Sequence, residues 1–124
     1  MKIYIASALF TTRQKERIGK HAKLLRALGH EVYVPHELHI ENADDMSNQE
    51  WAKTVFAHDI QAINEADAVY YFCEGMEGDI GSAWECGYAY AKGKRILVEE
   101  LEETEYISLM VAQSADHEIE SYQS

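Results

Sequence analysis

The chain has 124 residues, 47% of them hydrophobic, which is enough for one core and too little for two. Eleven lysines and arginines against twenty-two aspartates and glutamates leave a net charge of −11, which argues against nucleic-acid backbones or an anionic membrane as partners, since both demand positive surface. No apolar leader opens the chain and no apolar run nears the roughly 20 residues of a membrane span, so a single cytoplasmic domain over residues 1–124 is expected.

In chain order, Ile3-Tyr4-Ile5-Ala6 predicts a first strand close to the start. Over residues 11–28, Ile18, Ala22, Leu25 and Leu28 recur at three- and four-residue spacing between lysines and arginines, and Gly29 follows as a stop. That is an amphipathic helix. Glu31-Val32-Tyr33-Val34 predicts the second strand, closed by Pro35, the only proline, which cannot donate to a ladder. Residues 36–48 hold acids, histidines and asparagines without periodicity and read as a loop placed to close over a site. Ser47, with Glu50 three residues on, predicts a capping box for a second helix that runs through Trp51, Val55, Phe56, Ile60 and Ile63 to Ala66.

Asp67 leads into a third strand over 68–72, a loop covers 74–78, and a third helix runs from Gly81 to Lys92 and stops at Gly93. Residues 95–98 predict a fourth strand. The acidic run 99–105 is expected as a solvated loop, 107–111 as a short final helix or an oligomer contact, and 116–124 as a polar tail disordered in part. Strand and helix alternate three times, which predicts an α/β fold: a doubly wound, flavodoxin-like parallel sheet with helices on both faces, in a single domain.

The segment Asp79-Ile80-Gly81-Ser82-Ala83-Trp84-Glu85-Cys86-Gly87-Tyr88-Ala89 follows the third strand and opens the third helix, the corner at which open α/β sheets bind ligands. The helix neighbours of Glu85 at three and four residues are Gly81, Ser82, Tyr88 and Ala89, none of them basic. Its charge therefore has another use. Other chemistries fit worse. The glycines Gly75, Gly78 and Gly81 match no phosphate-loop fingerprint and stand among acids. His36 and His39 make a weak metal pair that the cysteines do not complete, so no metal is assigned. Cys73 and Cys86 are expected as reduced thiols, Cys86 filling a small space beside the sheet, with no basic residue nearby in sequence to activate it.

Three carboxylates remain: Asp59, Asp79 and Glu85. Each keeps a plainer alternative, an exposed helix position for Asp59 and Glu85 and a helix N-cap for Asp79. As a cluster they suit cleavage at an anomeric carbon, where one acid attacks and another handles the proton of the leaving group while acidic surroundings stabilise the cation-like transition state.

These residues resemble the nucleoside 2-deoxyribosyltransferase family over positions 3 to about 111. The resemblance rests on Ile3-Tyr4-Ile5-Ala6-Ser7-Ala8-Leu9-Phe10 with Arg13-Gln14 after it, Tyr33-Val34-Pro35, Trp51 with Asp59 eight residues on, Asp67, and the segment 79–89. It implies that Glu85 is the nucleophile, forming a covalent 2-deoxyribosyl ester, and that Tyr4 orients it. It further implies that Asp59 passes the proton to and from the base, that Asp79 holds a sugar hydroxyl with Gly81 beside it, and that Phe10 and Trp51 wall the base pocket. The partners would be 2′-deoxyribonucleosides and free nucleobases, the cofactor none, and the assembly a homo-oligomer with shared active sites.

Two positions depart from the family pattern. Ser108 stands in Tyr106-Ile107-Ser108-Leu109-Met110, where the family's transferases bring an asparagine from a neighbouring subunit to the sugar. His39 stands where a base-reading glutamine is expected. The nearest rival is a 2′-deoxynucleoside 5′-monophosphate N-glycosidase, whose phosphate cradle fits poorly with the apolar corner Ser7-Ala8-Leu9-Phe10-Thr11 and its single nearby base, Arg13. A non-catalytic nucleotide-binding module on the same fold is the rival from another class.

Overall fold

The computed structural model describes residues 1–73, 80–101 and 108–116. Four strands, β1 (Lys2–Ser7), β2 (Glu31–Tyr33), β3 (Ala68–Cys73) and β4 (Arg95–Glu100), form one parallel sheet in the order β2-β1-β3-β4. Four helices connect or follow them: α1 (Thr12–Ala27), α2 (Asn48–Glu65), α3 (Ile80–Ala91) and α4 (Leu109–Ser114). This is the expected flavodoxin-like arrangement. The chain order reverses between β1 and β3, whose carboxyl ends therefore open on a switch point.

Both faces of the central strands are buried, and period-two alternation assigns their side chains. On one face Ile5, Val34 and Phe72 pack against Ile18 and Ala22 of α1. On the other, Tyr4, Ala6, Val69, Tyr71 and Ile96 pack against Ile63 of α2, Cys86 and Ala89 of α3, and Val111 of α4. Burying each large aliphatic side chain contributes about 1.5–3 kcal/mol before the entropy of ordering it.

Local chemistry sets the element ends. Thr11 and Gln14 form a complete capping box at α1, and Gln14 Oε1 also accepts the Phe10 N–H at 2.8 Å. At α2, Ser47 Oγ accepts the Glu50 N–H at 3.1 Å, the first half of the box expected there. Gly29 and Gly93, the two expected helix stops, have φ of 94° and 77°, a left-handed conformation that suits glycine.

Several boundaries differ from expectation. Pairing extends β1, β3 and β4 by one or two residues, so Glu99 and Glu100 belong to a strand and Glu99 accepts a hydrogen bond from Tyr70. Residues 36–48 are not a featureless loop: single 3-10 turns span Pro35–Glu37 and Ala43–Asp45. The first turn is held by Arg26 of α1, which donates to both carboxylate oxygens of Glu37 and to the Val32 carbonyl. The final helix starts at Leu109 rather than at 107. Asp67 has a structural task, since its carboxylate accepts the Lys2 N–H at 2.8 Å and fixes β1 beside β3.

Candidate active site

Two tyrosines of the sheet organise the site. The parallel register pairs Tyr4 of β1 with Tyr33 of β2, which sets both side chains on the face covered by α2 and α3, and their rings stack with centroids 5.4 Å apart. Each hydroxyl meets a carboxylate descending from a helix. Tyr4 donates to Glu85 Oε2 of α3, and Tyr33 donates to Asp59 Oδ1 of α2 at 3.2 Å.

Burial and hydrogen bonding shape the tyrosines and Asp59. Tyr4 is completely buried; burial first, then the charges of Glu85 and Asp59, push its phenol far above the ordinary tyrosine value, so it stays a donor. Burial and then Asp59 do the same to Tyr33. Burial also raises the Asp59 carboxyl, against the smaller opposing pulls of the Tyr33 hydroxyl and His58. Burial thus disfavours the charged form of Asp59, while Glu85 is aimed by a buried hydrogen-bond donor.

One cleft opens on the two carboxylates and a second lies along α2 from it. The first and smaller, about 430 Å³, is lined by Phe56, Asp59, Ile60, Gly81, Trp84 and Glu85. The second and larger, about 980 Å³, has Phe10, His36, His39, Trp51 and Val55 in its walls. Trp51, Val55 and Asp59 are spaced by four residues and so share one face of α2. That stripe runs from the larger cleft to the smaller.

The structure brings Tyr4, Glu85, Asp59 and Gly81 together and places Phe10, Trp51 and His39 on the neighbouring cleft. Phe10 is 78% exposed, so it presents an open wall. Ser108 is the N-cap of α4, a helix packed on α3 and β4, and nothing among the described residues ties it to the Tyr4–Glu85 pair. Asp79 lies outside the described residues. Cys73 and Cys86 are buried free thiols, and burial raises the Cys86 thiol, in keeping with a space-filling role. Among the described residues no three His, Cys, Asp or Glu side chains converge to hold a metal ion.

Sequence reasoning missed Tyr33 as a site residue. The signal was present in part, since Tyr4 and Tyr33 each stand inside a short β-type run, but their pairing needs the register between strands. Gln14 was also missed as the residue that ties the Phe10 backbone to the start of α1.

Fold and site together define a flavodoxin-like α/β protein with two tyrosine-held carboxylates beside its switch point. The family model described as nucleoside 2-deoxyribosyltransferase matches residues 3–121. A solved structure of a 2-deoxyribosyltransferase from the psychrotolerant bacterium Bacillus psychrosaccharolyticus is 35% identical, with a TM-score of 0.78, covering 93% of this chain and 82% of that one. The chain belongs to the nucleoside 2-deoxyribosyltransferase family.

Two more distant structures share the fold. A conserved protein from Enterococcus faecalis V583 is 18% identical with a TM-score of 0.76, covering 99% of this chain and 96% of that one. A CMP N-glycosidase from Clostridium botulinum is 22% identical with a TM-score of 0.60, covering 93% and 83%. No curated protein matches the chain significantly. No helix among the described residues is long and apolar enough to cross a membrane.

Proposed function

We propose that this protein exchanges the base of 2′-deoxyribonucleosides through a covalent deoxyribosyl ester on Glu85, with retention at C1′. The observation that carries the reading is the pair of tyrosine-held carboxylates, Tyr4–Glu85 and Tyr33–Asp59, stacked side by side beneath one cleft. A carboxylate oxygen of Glu85 attacks C1′ as the C1′–N bond breaks, and the departing base takes the proton held by Asp59. In the second step the nitrogen of an incoming base attacks C1′ from the other side and the ester C–O bond breaks. That base gives its proton to Asp59. Each displacement inverts C1′, so the product keeps the starting configuration.

The charge balance supports this chemistry. Electron density leaves C1′ ahead of attack, and carboxylates nearby stabilise the cation-like centre. The aromatic walls Phe10 and Trp51 offer flat apolar surface to a base, and His39 offers a ring nitrogen to its edge. Exposed Leu109, Met110 and Tyr90 are apolar surface of the kind that subunit contacts cover, which supports a homo-oligomer with shared sites as part of the same proposal.

Incubation of the protein with deoxyinosine and free adenine tests the reaction. Deoxyadenosine is the expected product. Release of deoxyribose with no new nucleoside would instead establish a hydrolase, with water as the second nucleophile. The Tyr4→Phe variant keeps the ring stack but removes the donor to Glu85. Its kcat is expected to fall roughly 10- to 100-fold with little change in KM or melting temperature, since a hydrogen bond to a charged group contributes about 1.5–3 kcal/mol.

A further inference from the structure

The family assignment and the exchange chemistry leave Tyr33 without a role, yet the structure gives it a hydrogen bond that joins the sheet to the Asp59 carboxylate of α2. Tyr33 sits on the edge strand β2, its ring is fixed against Tyr4 at 5.4 Å with an interplanar angle of 13°, and its hydroxyl reaches Asp59 Oδ1 at 3.2 Å. A side chain needed only to cover the sheet would serve as well without the hydroxyl. The hydroxyl instead spans from the sheet to the acid on α2.

We propose that Tyr33 is a positioning residue, holding the Asp59 carboxyl by one oxygen so that the other faces the base and exchanges its proton. The inference rests on the base-exchange reading and names the device that makes its proton step directional. A carboxyl on a short side chain rotates about its terminal bond with broad preference; the Tyr33 bond removes that freedom, and the stack on Tyr4 fixes the tyrosine in turn. Proton transfer rewards such fixation because it needs donor and acceptor heavy atoms within about 2.6–3.2 Å.

The charge environment gives the bond a second effect. Around Asp59 stand Tyr33 from β2, Tyr4 from β1 with Glu85 of α3 beyond it, and His58 from its own helix. Burial pushes the Asp59 carboxyl up, while the Tyr33 hydroxyl stabilises the charged form and draws it back down. Removing that hydroxyl leaves burial less opposed. The Asp59 midpoint then rises, and the alkaline limb of base release, which requires protonated Asp59, moves to higher pH.

The test uses the full chain and the variants Tyr33→Phe, Asp59→Asn and their combination. Single-turnover base release is measured against pH, and the Asp59 carboxyl is titrated by carbon-13 NMR without substrate. Tyr33→Phe is expected to slow base release about tenfold at neutral pH with KM changed less than twofold, to move the alkaline limb and the NMR midpoint upward together, and to add nothing in the Asp59→Asn background. An unmoved midpoint, or an equal loss in the Asp59→Asn background, would overturn the proposal. A moved midpoint in a protein that performs no base exchange keeps the Tyr33–Asp59 coupling and rejects the reaction assigned to the site, so the two failures are told apart.

Discussion

Replacing Glu85 by Ala is expected to lower base exchange by on the order of 10⁴-fold or more, because the proposed mechanism needs its carboxylate to form the ester that links the two half-reactions. The geometry makes the expectation specific. Glu85 is a half-buried residue of α3 aimed by the fully buried Tyr4 hydroxyl, and no cysteine replaces it, since Cys86 is buried with its thiol raised. Binding of a deoxynucleoside, followed by calorimetry, should survive the change, because Phe10 and Trp51 remain in place. A 2-fluoro-2-deoxynucleoside gives the positive counterpart: fluorine destabilises the cation-like state and slows both steps, so intact-mass and peptide analysis should find a sugar adduct on Glu85. An adduct on another residue, or undiminished exchange in Glu85→Ala, would remove Glu85 from the mechanism.

Replacing Asp59 by Asn is expected to cost roughly 10²–10³-fold in kcat, the usual yield of a positioned general acid. The loss should depend on the leaving group. A base that departs readily as an anion needs little help, so activated nucleosides should lose least. The sign with pH follows from the raised carboxyl of Asp59: under the proposed mechanism base release is expected below that midpoint and should be lost as pH rises through it, whereas the Asn variant should lack this limb. The same substitution should stabilise the fold at neutral pH. A carboxylate that resists ionisation in the folded state lowers stability once it is charged, so the gain in the Asn variant is present above the folded midpoint and vanishes below the unfolded one. Activity and stability would then move in opposite directions at one residue, measured by steady-state kinetics and by denaturant melts across pH.

How much of this was legible in the sequence varies with the range of the interactions involved. The four strands and the three long helices are readable from short-range periodicity and from the stops at Gly29 and Gly93, and the parallel α/β class from their alternation. Strand ends are less readable because pairing partners set them. Glu99 and Glu100 look like the start of a solvated acidic run and join β4 because β3 offers matching backbone groups at Phe72 and Cys73. The turn at Pro35–Glu37 depends on Arg26, nearly a dozen residues earlier, reaching Glu37.

The site shows the same division. Glu85 and Asp59 stand out as acids on otherwise apolar helix faces, and the structure sets Glu85 against Tyr4 and Asp59 against Tyr33. Tyr33 was hidden because its role exists only through the Tyr4–Tyr33 register, a relation between strands separated by the whole of α1. The placement of Phe10, Trp51 and His39 along a second cleft likewise depends on the helical stripe of α2 and the turn held by Arg26, which no local pattern displays.

The edge position of β2 has a consequence for motion. β2 is three residues long and is hydrogen-bonded to β1 alone, whereas β1 and β3 are held on both sides. Short edge elements open at lower free energy than central ones. Local fraying of β2 would carry Tyr33 away from Asp59 while Tyr4 and Glu85, anchored to the central strand and α3, stay engaged. The two halves of the site would then have different lifetimes, and under the proposed exchange the Tyr33–Asp59 half could loosen to let one base leave and another enter while the Tyr4–Glu85 half stays closed. Amide protons of β2 should accordingly exchange with solvent faster than those of β1.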